Sequence, residues 1–174
     1  GSFDEIISLF IDINTYAVRV TRFDIIRTMK DNNELLSDTF DLIAQKQKRK
    51  KDYFFKALES NYANVFKRLN TVQALKGRQQ QVDRVWERML EIVLFVRTEQ
   101  HRTTAQILKG FMGQKVDKKG ITKPESIALT KLFNTLKSVF APPFMKKSQL
   151  ATNQTHLYTL ITSLHMLKLE DAMS

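Results

Sequence analysis

Residues 79–97 are Gln79-Gln-Gln-Val-Asp-Arg-Val-Trp-Glu-Arg-Met-Leu-Glu-Ile-Val-Leu-Phe-Val-Arg97, a stretch that can be only a buried helix or a central strand. Its apolar positions Val82, Val85, Trp86, Met89, Leu90, Val93 and Val96 recur at intervals of one, three and four, as on one face of an α-helix. The end, Ile92-Val-Leu-Phe-Val96, is β-branched enough to pass for a strand in isolation. A strand needs a partner, and the chain offers no second segment of that character. The stretch therefore predicts an amphipathic helix that becomes buried on all sides toward its C-terminus, with Trp86 in the core.

Along the rest of the chain helix punctuation is sparse. After Gly1 the glycines are Gly77, Gly110, Gly113 and Gly120, and the first proline is Pro124. Ser2-Phe-Asp-Glu5 is a capping-box pattern, in which the first hydroxyl and the last carboxylate satisfy unpaired amides. Ile6, Phe10, Ile13, Ala17 and Val20 then follow at helical spacing. Lys30-Asp-Asn-Asn33 reads as a turn, with Asp31 as the cap of a helix through Leu36, Phe40 and Ile43. The apolar phase resumes at Phe54, Leu58, Tyr62, Val65 and Leu69, so one long helix near 34–75 competes with a break near 45–52.

Thr98–Thr104 is polar and reads as a break, after which Ile107, Leu108, Phe111 and Met112 are apolar. Residues 110–123 hold three glycines and four lysines and predict a flexible loop. Thr122-Lys-Pro-Glu125 is a strong helix start, ahead of Ile127, Leu129, Leu132, Phe133, Leu136 and Phe140. Ala141-Pro-Pro143 ends that helix, and a last one is expected from about Ser148, with Leu157, Leu160, Ile161, Leu164 and Leu167 on its apolar side. The expectation is an all-α fold, a bundle or short array of about five to six amphipathic helices. Its 174 residues make one domain, 1–174, in which Gly1-Ser2 reads as a cloning scar.

Charge is unevenly divided. Residues 1–45 hold 4 basic and 8 acidic side chains, net −4, whereas residues 46–78 hold 10 basic and 2 acidic, net +8. The densest run is Lys46-Gln-Lys-Arg-Lys-Lys51, followed by Tyr53, Phe54 and Phe55, of which Phe54 is in phase with the apolar stripe. A basic block concentrates anionic partners around it. The contact set expected from charge is Lys46, Lys48, Arg49, Lys50 and Lys51, with Lys115, Lys118 and Lys119 of the loop as a second positive region.

Several chemistries find no support in these residues. Cysteine is absent, which excludes disulfides and thiolate metal sites. His101, His156 and His165 stand at no helical metal-pair spacing. Asp31-Asn-Asn-Glu34 resembles a calcium loop only at its start. Gly110-Phe-Met-Gly113 matches a bare G-x-x-G nucleic-acid loop, although Phe and Met at its centre favour a buried Phe111. There is no nucleophile elbow or phosphate-cradling glycine loop. Asn153-Gln-Thr155 fits a glycosylation acceptor, a triplet frequent by chance. No apolar run reaches the length of a membrane span.

The function expected from the sequence is non-catalytic and free of cofactors and metals. It is a helical scaffold or adaptor, intracellular, binding a macromolecular partner through a basic surface. A protein with an acidic surface is the first partner. Nucleic acid, held by the 46–78 block and the 109–123 loop, is the alternative, and peripheral contact with anionic lipid the third.

Overall fold

The computed structural model describes residues 2–16, 22–44, 78–146 and 148–173. Among them the chain is all-helical: α1 (Phe3–Tyr16), α2 (Arg22–Lys30), α3 (Glu34–Ala44), α4 (Arg78–Thr98), α5 (Thr104–Met112), α6 (Lys123–Val139), α7 (Pro143–Lys146), α8 (Gln149–Thr152) and α9 (Gln154–Met173). The alternatives over 34–75, one helix or two, are described only through Ala44. Residues 45–77, with Phe54, lie outside the described residues, as do 17–21.

The decisive stretch is a helix, and it organises the packing. Helices α3, α5, α6 and α9 all contact α4. Trp86, Met89, Leu90, Ile92, Val93, Leu94 and Phe95 are buried, so α4 loses its exposed side as its sequence becomes continuously apolar. Trp86 is fully buried, and its ring meets Phe40 of α3 edge-on at 4.7 Å. From α6, Leu129, Leu132, Phe133 and Leu136 close one side of α4; from α9, Leu157 and Ile161 close another.

Local chemistry sets the helix ends. Ser2 and Glu5 form their capping box, with Ser2 N donating to Glu5 Oε2 at 2.8 Å and Glu5 N to Ser2 Oγ at 3.3 Å. Thr122 and Glu125 form another, with Pro124 in the first turn. Thr103 and Gln106 form a third at the start of α5. Glu99 takes a left-handed φ of 58° and marks the end of α4, inside the break expected over 98–104.

Four expectations shift. The cap of α3 is Asn33, whose Oδ1 accepts from Leu36 N at 3.1 Å, and not Asp31. A cap must immediately precede the first helical residue, and Asp31 stands too early for that. On α1, Ile7 is buried while Ile6 is 47% exposed, so the inward stripe runs through Phe3 and Ile7. This segment is apolar at so many positions that more than one helical phase fits it. Leu167 is 54% exposed on α9 and so lies off the apolar side assigned to it. Finally, the last helix is preceded by two single turns, α7 and α8, because the chain re-enters helix at Pro143 and Asn153 interrupts it before α9.

The connection expected over 110–123 is shorter at both ends. Helix α5 continues through Met112, α6 begins at Lys123, and residues 113–122 join them. Gly110 lies inside α5 because Val116 folds back over it. A Cβ there would overlap the Val116 Cγ2 methyl, and Gly110 O accepts from both Lys115 N (2.8 Å) and Val116 N (3.1 Å). Gly110→Ala gains about 1 kcal/mol of helix propensity but suffers overpacking of about 1–3 kcal/mol. A net loss of about 1 kcal/mol is expected in urea unfolding, relieved when Val116→Ala is added. Stabilisation by Gly110→Ala alone would show that Val116 does not sit on that glycine.

Candidate functional site

The lysine-bearing connection 113–122 is fixed from below. Arg97, near the end of α4, donates from Nε to Glu125 Oε2 at 2.8 Å and from Nη2 to Glu125 Oε1 at 3.0 Å. The same guanidinium reaches two loop carbonyls, Gly120 O at 2.9 Å from Nη2 and Asp117 O at 3.3 Å from Nη1. Such a planar fork satisfies a carboxylate in a bidentate manner with donors to spare. Glu125 also accepts from Thr122 N and Thr122 Oγ1, which ties the start of α6 to the same point. Burial raises the pKa of the Glu125 carboxyl, but the Arg97 and Thr122 hydrogen bonds and the Arg97 charge outweigh it. The result lies below the ordinary glutamate value.

Helix α3 holds the loop from another side. Leu35 N donates to Lys118 O at 3.0 Å, Ile121 N to Asp38 Oδ2 at 2.9 Å, and Gly120 N to Glu34 Oε2 at 3.2 Å. A Cβ at Gly120 would stand 2.5 Å from Asp38 Oδ2, so the backbone approaches that buried carboxylate as only glycine permits. Val116 and Ile121 turn into the core, while Lys118 Nζ pairs with Asp4 Oδ1 of α1 at 3.4 Å.

The expected contact residues therefore divide. Lys46, Lys48, Arg49, Lys50 and Lys51 lie outside the described residues. Lys115 and Lys119 are exposed and make no ion pair among the described residues, and so are Lys109 and Lys123 on either side. Lys118 is half-buried against Asp4, so its charge is partly used within the fold. At the centre of the G-x-x-G match, Phe111 is fully buried and Gly110 is helical, an arrangement that gives no backbone loop for a nucleic-acid clamp.

A second constellation escaped the sequence reading. His101 in the α4–α5 break stacks on Phe95, with ring centroids 4.7 Å apart, and its Nδ1 lies 3.0 Å from the Tyr158 hydroxyl of α9. His165 meets Phe95 edge-on at 5.9 Å, which fits the structural role its apolar surroundings suggest. Arg88 lies over the Tyr158 ring at 5.0 Å and pairs with Glu91 at 2.8 Å, while Glu91 Oε1 accepts from Thr104 N and Oγ1. Burial and the Glu91 charge push the Tyr158 hydroxyl up, against a smaller opposing effect of Arg88. Beside it lies a shallow groove of about 310 Å³, lined by Phe95, His101, Thr162, Ser163, Met166 and Leu167. His101 and Tyr158 are 57 residues apart, and no local pattern links them.

No helix among the described residues is long and apolar enough to cross a membrane. No protein family, curated protein or solved structure matches the chain.

Proposed function

We propose that this chain is a non-catalytic helical scaffold or adaptor that binds a macromolecular partner through a basic surface. The helices are read as a bundle or short array whose loops carry the contacts. The observation supporting the reading is the 113–122 connection, where lysines reach solvent from a backbone anchored by Arg97, Glu125, Asp38 and Leu35. An anchored backbone lets exposed charges meet a partner with little ordering cost. The formal net charge of +10 favours anionic partners at long range. The absence of cysteine fits a reducing compartment, and we propose an intracellular location.

The test is capture from a native lysate with the intact protein and with a form charge-reversed at Lys48, Arg49, Lys50, Lys51, Lys115 and Lys119. Nuclease is added or omitted for both. The expected result is a set of acidic proteins retained by the intact form, insensitive to nuclease and lost on charge reversal. Capture that is unchanged by charge reversal would remove the basic surface from the reading. Capture that disappears with nuclease would favour the nucleic-acid module instead.

A further inference from the structure

We infer that the lysines of the α5–α6 connection form a docking surface for a short, extended acidic polypeptide segment. This inference rests on the reading of the chain as a basic-surface binding module, and it names the surface and the partner's chemistry. Four cations carry it. Lys109 lies in the last turn of α5, and its carbonyl accepts from Gly113 N. Gly113 is also where the Lys115 side chain passes: a Cβ at that position would meet Lys109 O at 3.6 Å and Lys115 Cγ at 3.8 Å. The Lys109 backbone and the Lys115 stem thus lie beside one glycine, and both side chains are exposed. Lys119 and Lys123 flank the Gly120–Thr122 segment that Arg97, Glu34 and Asp38 hold in place.

The dimensions suit a short ligand. Lys115 and Lys119 are four residues apart, which limits their Cα separation to about 14 Å, the reach of roughly five extended residues. Lys118 is not part of the surface, because Asp4 takes its ammonium. Asp117 interrupts the lysines, but its Oδ1 accepts from Lys119 N at 2.9 Å, so part of that charge is turned to the loop's own backbone.

The chemistry favours carboxylates over a phosphate backbone. Residues 113–123 contain no arginine and no aromatic side chain. Bidentate base reading and base stacking therefore have no donor or platform in the connection. The adjacent aromatic, Phe111, is buried, and the adjacent Arg97 is spent on Glu125 and the loop carbonyls. Four lysines on the connection and its two flanking helix ends give few phosphate contacts, which leaves little counterion release for a long polyanion. A second copy of the chain is a poor occupant, since each copy carries +10.

The experiment is fluorescence anisotropy on the full chain with a labelled Glu/Asp peptide of about ten residues. A single-stranded oligonucleotide of equal charge is run beside it, each at about 50 and 200 mM salt. Lys115→Glu with Lys119→Glu is compared with charge reversal at Lys48, Arg49, Lys50 and Lys51. Lys115→Gln with Lys119→Gln, checked by circular dichroism, guards against a folding defect. Support is a peptide affinity that falls about tenfold in the Lys115/Lys119 reversal and less in the glutamine pair. It also requires that the 48–51 reversal leave that affinity nearly unchanged. Tighter binding of the oligonucleotide, or peptide binding lost only through the 48–51 reversal, overturns this inference but leaves the basic-surface reading standing. Salt-sensitive binding of neither polyanion overturns both.

Discussion

Phe111→Ala is expected to lower stability by about 3–5 kcal/mol. The ring is fully buried on α5, in the same core as Val93, Leu132 and Phe133. For a chain of this length that is a fall in Tm of about 6–20 °C, measurable by thermal and urea unfolding. The expectation separates two readings of one tetrapeptide. Were Gly110-Phe-Met-Gly113 a nucleic-acid loop, Phe111 would face solvent. Its removal would then change stability by no more than about 0.5 kcal/mol. A loss below about 1 kcal/mol would reopen that reading.

The fold was legible wherever a local rule determined the outcome. Thr122, Pro124 and Glu125 are close enough in sequence for their capping chemistry to be read directly, and α6 begins there. The all-round apolar end of α4 could go only inside, because no other segment offered it a strand partner. The phase of α1 was not legible, since Ile6 and Ile7 are equally apolar and only α2 and α5, which pack against it, decide between them. The same limit hid the extra turn of α5. Gly110 reads as a breaker until Val116 is seen folded over it, and then the glycine is what allows the contact.

The candidate site was legible as composition and illegible as geometry. Lysines at 115, 118 and 119 could be counted, but their different fates could not. Lys118 meets Asp4 across 114 residues, and Gly120 meets Glu34 across 86. Asp4, Glu34 and Asp38 all belong to the acidic first 45 residues, so part of the charge asymmetry is spent inside the molecule, holding the loop. A charge imbalance read from sequence therefore overstates what remains for a partner. The cations that remain exposed are identified only once the anchors are known.

Arg97→Met tests those anchors and is expected to cost about 2–3 kcal/mol. Breaking a buried pair by removing one partner costs about 3–5 kcal/mol, and the Arg97–Glu125 pair, 15% and 11% exposed, is partly solvated. Methionine keeps much of the stem packing, so the loss reports on the guanidinium. The pH dependence identifies the cause. Glu125 is held below its ordinary value in the folded state, so its contribution is present above about pH 4.3 and lost as pH falls through the folded value. Without Arg97, burial is opposed only by Thr122, so the carboxyl pKa is less depressed and the variant loses less on acidification than the native protein does. The stability gap, measured by urea unfolding at about pH 7 and about pH 3, should therefore narrow in acid. An equal gap at both would mean that Arg97 acts through packing alone. The variant should also bind the acidic peptide more weakly although Lys109, Lys115, Lys119 and Lys123 are untouched, because the Gly120 and Asp117 carbonyls lose the donor that positions their loop.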